Sequence, residues 1–309
     1  MFAADNPFLP QARLAVRVLR IVAKEPDLAL KGGTAINLFF RDLPRLSVDL
    51  DLTYLKIRNR EESLKAIAEA LERIAADVER TLRGARVERR GLHNGRIIVS
   101  HDRARITVEV NTVLRGSVHP PLRVQARQPA RDTFGDLEAQ ILSFEDCFAG
   151  KLVAALDRQH PRDLFDVAQL LAAEGLTRSL LDAFVVYLVS HDRPMSEVLA
   201  PVEKDIRLVH EAEFAGMTGA AVTLEALQET RARLVGELRQ VLLSRHVQFL
   251  RSVKALDPDW GLLPQAHVAE LPAVRWRLQN LEKFRNEQPD RYAAARHRLE
   301  EVLKGFHGQ

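Results

Sequence analysis

Residues 31–55 read KGGTAINLFFRDLPRLSVDLDLTYL, and the reading of this stretch decides the fold. Gly32 and Gly33 open a segment with helically spaced apolar residues that ends before Pro44. Glycine permits positive φ and close backbone approach, and free N–H groups at a helix start favour an anion. Thr34 follows with a hydroxyl. The next segment, LSVDLDLTYL, alternates with period two, which predicts a half-buried strand. Val48, Leu50 and Leu52 fall on one face; Asp49, Asp51 and Thr53 fall on the other. Same-face neighbours lie about 6.5–7 Å apart at Cα, so the two carboxylates are expected to converge.

Further along, RITVEVNT repeats the design. Ile106, Val108 and Val110 face one way, and Thr107, Glu109 and Asn111 the other. It is the second arm of a predicted hairpin, GRIIVSHDRARITVEVNTV, that turns near Asp102–Arg103. Placed beside the first strand, this arm would bring Glu109 to Asp49 and Asp51. Three crowded carboxylates raise one another's pKa and strain the fold unless a cation sits between them. With no cysteine set and no closely spaced histidine pair, the donors suit Mg²⁺ or Mn²⁺. A D-x-D alone reads as a solvated strand face. The GGT turn, with fourteen residues between Thr34 and Asp49, turns the balance toward a nucleoside triphosphate site.

The rest of the first half mixes helix and strand. ARLAVRVLRIVA is a helix stopped by Pro26, and EESLKAIAEALERIAADVERTL is a long amphipathic one. Residues 115–135, rich in Pro, Gly and Arg, show no clear helix, and EAQILS is a last strand. After Ser143, which has the position of an N-cap ahead of Glu145 and Asp146, the pattern stays helical. FEDCFAGKLVAALDR comes first; Pro161 then opens PRDLFDVAQLLAAE, and Gly175 closes it. Further breaks fall near His191–Pro194, Gly216–Gly219 and Asp257–Pro264. The expected architecture is α+β, a mixed sheet flanked by helices over residues 1–142, followed by an all-α domain over 143–309.

A chain of 309 residues with 46% hydrophobic and 28% charged residues suits two globular domains. The single cysteine, Cys147, leaves no internal disulfide and fits a reducing cytoplasm. The first twenty residues lack the pattern of a signal peptide, and no run approaches the ~18 apolar residues of a membrane span. A net charge of +3 permits a nucleic-acid partner without arguing for one. Residues 271–309 hold eight Lys/Arg and five Asp/Glu, a pattern that favours a solvated helix face over one bank of a phosphate-tracking groove. Trp276, between Arg275 and Arg277, is expected on the buried side of an amphipathic helix rather than as a base-stacking platform.

The G-G-T turn, the helix and the D-x-D strand, with a later carboxylate on a neighbouring strand, resemble the nucleotidyltransferase fold of the polymerase-beta type. More narrowly, LKGGTAINLFF followed by RLSVDLDL is similar to the AbiEii/AbiGii toxin family, the MenT-like nucleotidyltransferase toxins. A second block, SFEDCFAGKLVAALDRQHPRDLFDVAQLL, is similar to that family's downstream block, in which a lysine and an aspartate complete the site. The resemblance covers roughly the first 175 residues. It implies that Gly33 and Thr34 hold a triphosphate, that Asp49 and Asp51 bind catalytic metals, and that Lys151 is the family lysine. The downstream aspartate is Asp163 or, as the less favoured choice, Asp166. Glu109 enters as a metal ligand by strand logic alone. Lys31, Arg41 and Arg45 are further cations for the transferring phosphate, with Lys31, Gly32 and Arg45 grouped at the nucleotide. The helical domain is expected to contribute Lys151 and Asp163 to the cleft. The resemblance also implies a bacterial toxin of a toxin–antitoxin or phage-defence pair, neutralised by a separate antitoxin, that adds nucleotides to the tRNA 3′ end. Other expectations are a small-molecule or protein acceptor, or an idle binding module.

Overall fold

The computed structural model describes residues 2–3 and 5–306. The chain divides into two compact units, Met1–Cys147 with Phe214–Val222, and Phe148–Glu213 with Thr223–Gln309. The division falls inside a helix, α5 (Phe144–Asp157), whose first turn belongs to the first unit. Asp146 explains this. Its carboxylate accepts the Val118 and His119 N–H groups at 2.8 and 2.9 Å and the Ser143 hydroxyl at 2.7 Å. The Ser143 Oγ in turn accepts the Asp146 N–H, the expected cap.

The first unit is built on a mixed, seven-stranded sheet. Its strands are β1 (Leu28–Lys31), β2 (Leu50–Tyr54), β3 (Arg86–Glu88), β4 (Arg96–His101), β5 (Ala104–Asn111), β6 (Leu122–Gln125) and β7 (Glu138–Ile141), in the order β3-β4-β5-β2-β1-β7-β6. β1 runs antiparallel to β2, β2 parallel to β5, and β4 antiparallel to β5. The central strands bury one apolar row each: Leu30, then Leu50 and Leu52, then Ile106, Val108 and Val110. The helices α1 (Leu9–Val22) and α3 (Arg60–Thr81) pack on the sheet and on each other through their apolar stripes. Asn59 caps α3 by accepting the Glu62 N–H.

Three local expectations change. Residues 115–135 contain β6 and a short helix, α4 (Gln128–Phe134), started by a proline in its first turn and closed by Gly135 at φ +80°. Seven residues are too few for helical periodicity to show above the Pro and Gly around them. The helix after the glycines is one α turn, α2 (Gly32–Ala35), continued as a π-helical segment, Ile36–Phe40, which ends at Arg41. β2 begins at Leu50, so Asp49 precedes the ladder. The segment Phe214–Val222 braces this approach: the Met217 carbonyl accepts the Leu46 N–H at 2.8 Å, and Arg45 bridges Thr218.

The second unit is helical. Pro161 opens α6 (Pro161–Ala173), and Gly175 follows it at φ +69°. α7 (Arg178–Ser190) is apolar nearly all round and packs against α8 (Met195–Leu199), α11 (Ser244–Ala255) and α12 (Pro272–Glu287). α9 (Arg207–Glu213) and α10 (Leu224–Val241) precede α11, and α13 (Pro289–Leu303) folds back on α12. The basic end is mostly paired. Arg275 meets Glu270, Lys283 meets Glu287, Lys304 meets Glu301, and Arg277 donates to the Asp192 and Arg193 carbonyls. Trp276 is 53% exposed, against expectation, because α12 turns Ala273, Val274 and Leu281 inward instead. Among the described residues no helix is long and apolar enough to cross a membrane.

Candidate active site

The sheet brings four charged residues into one row. Register pairs Lys31 with Asp51, Asp51 with Glu109, and Glu109 with Arg96. Residues paired across strands share a face, so the row runs Lys31, Asp51, Glu109, Arg96 across β1, β2, β5 and β4. Asp51, Glu109 and Arg96 are exposed and Lys31 half-buried. None of the four has an ion pair or side-chain hydrogen bond among the described residues. Two carboxylates thus stand adjacent between two cations, with strands about 4.8 Å apart.

The glycine turn lies against this row. Gly32 has φ +69°, and a Cβ there would meet Asp51 Oδ2 at 2.8 Å. A Cβ on Gly33 would meet the Arg45 Nη2 at 2.4 Å. Gly32 is therefore required by its backbone conformation, and a Cβ on Gly33 would press on the buried Arg45 guanidinium. Arg45 is only 2% exposed; it packs behind the turn and donates from Nη1 to the Leu46 carbonyl at 2.9 Å. Thr34 is buried. Its hydroxyl donates to the Asp49 carbonyl at 2.5 Å and lies 2.9 Å from the Ser47 hydroxyl, which it can accept. Thr34 and Ser47 thus tie the glycine turn to the D-x-D segment.

Asp49 is held differently from Asp51 and Glu109. Asp49 Oδ1 accepts the Thr107 N–H at 3.1 Å, where a strand carbonyl would otherwise stand. β2 starts one residue later, so Asp49 lies outside the ladder that pairs Asp51 with Glu109. Among the described residues no three Asp, Glu, His or Cys side chains converge enough to hold a metal ion. The Asp51–Glu109 pair still fits one. Mg²⁺ is commonly held by one or two carboxylates with substrate phosphates and water completing the shell. Here two adjacent carboxylates lack partners beside a turn whose Gly32 has a left-handed φ.

The second unit holds the other predicted residues. Lys151 Nζ lies 2.7 Å from Asp163 Oδ1 and 3.1 Å from Asp166 Oδ2. Arg158 donates from Nε to Asp163 Oδ2 at 2.5 Å and from Nη2 to Oδ1 at 3.0 Å. Lys151, Asp163 and Asp166 are all buried. The D-x-x-D spacing places both acids on one face of α6, so one lysine serves both. Burial pushes the Asp163 pKa up, but the Lys151 charge and the Arg158 and Lys151 bonds outweigh it and hold the carboxyl well below its ordinary range.

Sequence reading missed Arg96 and Ser47. Arg96 was recoverable by counting: a two-residue turn at Asp102–Arg103 pairs His101 with Ala104 and hence Arg96 with Glu109. No local pattern distinguished Ser47.

The sequence profile of the family described as "Nucleotidyl transferase AbiEii toxin, Type IV TA system" matches residues 13–280. No curated protein matches the chain by sequence. Among solved structures, MenT4, a nucleotidyltransferase toxin from Mycobacterium tuberculosis H37Rv, superposes with TM-score 0.58 at 17% identity, covering 90% of this chain and 95% of its own. A crystal structure from H. pylori, of a protein classed by inference as a nucleotidyltransferase, gives TM-score 0.41 at 18% identity over 75% of this chain and 96% of its own.

Proposed function

The chain belongs to the AbiEii nucleotidyl transferase toxin family of type IV toxin–antitoxin systems, and we propose that it transfers a nucleoside monophosphate from an NTP to RNA, with the tRNA 3′ end as the first candidate acceptor. It is a nucleotidyltransferase, and its family implies an antitoxin partner. The observation that carries the proposal is the unpaired row Lys31–Asp51–Glu109–Arg96 beside the Gly32–Gly33 turn.

In this reading Asp51 and Glu109 hold Mg²⁺ or Mn²⁺, which when bound neutralises phosphate charge and polarises the α-phosphoryl group. Asp49 is the third carboxylate of this reading, and its Oδ1 accepts the Thr107 N–H at 3.1 Å. The turn at Gly32 and Gly33 lets backbone N–H groups approach the triphosphate, Lys31 supplies charge at its edge, and Arg45 adds charge from behind. Thr34 keeps the turn in register with Asp49 through its hydroxyl. The acceptor hydroxyl oxygen bonds to the α-phosphorus while the bond to pyrophosphate breaks; pyrophosphate keeps that electron pair, and the hydroxyl proton passes to water. Lys151 and Asp163 are carried in this reading as the family lysine and its aspartate, with Asp163 and Asp166 keeping the ammonium charged. In this reading the setting is the cytoplasm, where NTPs and tRNA meet, and the role is that of a toxin in a toxin–antitoxin or phage-defence pair.

The test is incubation of the protein with total RNA, Mg²⁺ and each α-phosphorus-labelled NTP, beside Asp51→Asn. Label in tRNA-sized bands with the unmutated protein alone supports the proposal. Label absent from RNA with every NTP contradicts it and turns the search to small-molecule and protein acceptors.

A further inference from the structure

We propose that Arg96 marks the acceptor side of the site and grips the phosphodiester next to the RNA 3′-hydroxyl. The inference rests on the reading of the charged row as the transfer site. Its starting point is the order of the row. Lys31 ends β1 and leads directly into the Gly32–Gly33 turn, so the triphosphate belongs at the β1 end. Asp51 and Glu109 come next, and Arg96 stands at the far end on β4.

Nucleotidyl transfer is an in-line displacement, with attacking and leaving oxygens on opposite sides of the phosphorus. If pyrophosphate leaves toward β1, the acceptor oxygen arrives from the side of β5 and β4. Three strand spacings separate Lys31 from Arg96, about 14 Å at the backbone. That span holds the α-phosphoryl group over the carboxylates and leaves Arg96 beyond the polyphosphate. The next phosphate it can meet is the one behind the acceptor's terminal nucleoside. A guanidinium binds such a phosphate in bidentate fashion, as a planar fork on two oxygens.

Arg96 is free for this role and firmly mounted. It is exposed and has no ion pair or side-chain hydrogen bond among the described residues, although Glu109 stands beside it in register. Two nearby arginines serve the fold: Arg89 is held by Glu72 and Glu79, and Arg105 by Glu88. The Arg96 N–H donates to the Gly91 carbonyl at 2.9 Å, and the Val110 N–H to Gly95 at 2.7 Å. Gly95 has φ +75°, and a Cβ there would lie 2.5 Å from the Val110 carbonyl oxygen. The turn before Arg96 is thus clamped to β5, the strand that carries Glu109.

The experiment measures binding of a short single-stranded RNA oligonucleotide with a free 3′-hydroxyl, in Mg²⁺ without NTP, by fluorescence anisotropy across a salt series. Binding of a non-hydrolysable NTP is measured in parallel. Arg96→Ala is expected to weaken RNA binding about tenfold and to flatten the log K against log salt slope by about 0.7, one phosphate contact on a single strand. NTP binding stays within about twofold, and Arg96→Lys recovers part of the loss. An oligonucleotide whose last linkage is an uncharged methylphosphonate should lose as much on the unmutated protein and no more on Arg96→Ala. RNA bound equally well by Arg96→Ala overturns the inference and leaves the transfer reading intact. So does a loss of NTP binding instead of RNA binding. No RNA binding by the unmutated protein overturns both.

Discussion

Lys31, Asp51, Glu109 and Arg96 on the sheet, and Lys151, Arg158, Asp163 and Asp166 on α5, α6 and the turn between them, have the same composition: two cations and two carboxylates. Their arrangement differs in every other respect. The sheet residues stand in a row, mostly exposed, and leave one another alone. The helical residues interlock, with Lys151 between two aspartates and Asp163 between two cations. A charge without a partner on a rigid strand retains its full capacity for a ligand. A buried charge with partners has already exchanged water for protein, and removing any partner leaves a charge stranded. The comparison teaches that unmet charge on a fixed scaffold is read first by ligand binding, and buried, paired charge first by stability.

That contrast is open to attack from both sides. The largest effect expected is on chemistry: Asp51→Asn or Glu109→Gln should lower the transfer rate by about 10³-fold, since either removes a carboxylate from the ion. Both are exposed, so a urea titration should show stability unchanged within about 0.5 kcal/mol. Asp163→Ala should do the reverse in the first instance, lowering unfolding free energy by about 3–5 kcal/mol because Lys151 loses its closest buried partner. An unaltered urea midpoint for Asp163→Ala would erase the distinction between the two clusters.

The acid limb of the stability curve sharpens the same point. The folded pKa of Asp163 lies below its ordinary value of 3.8, so its contribution is full above that pH and declines as acid lowers the pH toward the folded value. Stability should hold from neutral to about pH 5 and then fall, and Asp163→Asn should flatten that fall. Chemical unfolding at a series of pH values reads it out. Gly32→Ala should cost about 1–2 kcal/mol for its left-handed φ and lower activity further by crowding Asp51. The finest readout is local, at Asp49→Asn. Its amide oxygen still accepts the Thr107 N–H, so amide exchange at Thr107 should be preserved in Asp49→Asn and faster in Asp49→Ala.

Much of this was legible in the sequence because strands alternate strictly. Period two assigned Asp51 and Glu109 to one face each, and the Asp102–Arg103 turn fixed the hairpin register. Alternation could not say where β2 starts, and that single residue leaves Asp49 outside the ladder, against the Thr107 N–H. The glycine turn was legible as a need for space, but its reason, the Asp51 carboxylate and the Arg45 guanidinium, lies in tertiary contact. The D-x-x-D repeat left Asp163 and Asp166 as rivals. On a helix they share a face, and Lys151 reaches both. Trp276 went the other way because a helix with few apolar residues does not announce which of them it buries.

The most direct test of the central claim, that Asp51 and Glu109 form the ion-binding half of the site, is Mn²⁺ binding by electron paramagnetic resonance with a non-hydrolysable NTP present. The account predicts tight Mn²⁺ binding by the unmutated protein and by Arg96→Ala, and at least tenfold weaker binding by Asp51→Asn and by Glu109→Gln. Equal Mn²⁺ affinity in the Asp51→Asn, Glu109→Gln double variant would contradict it.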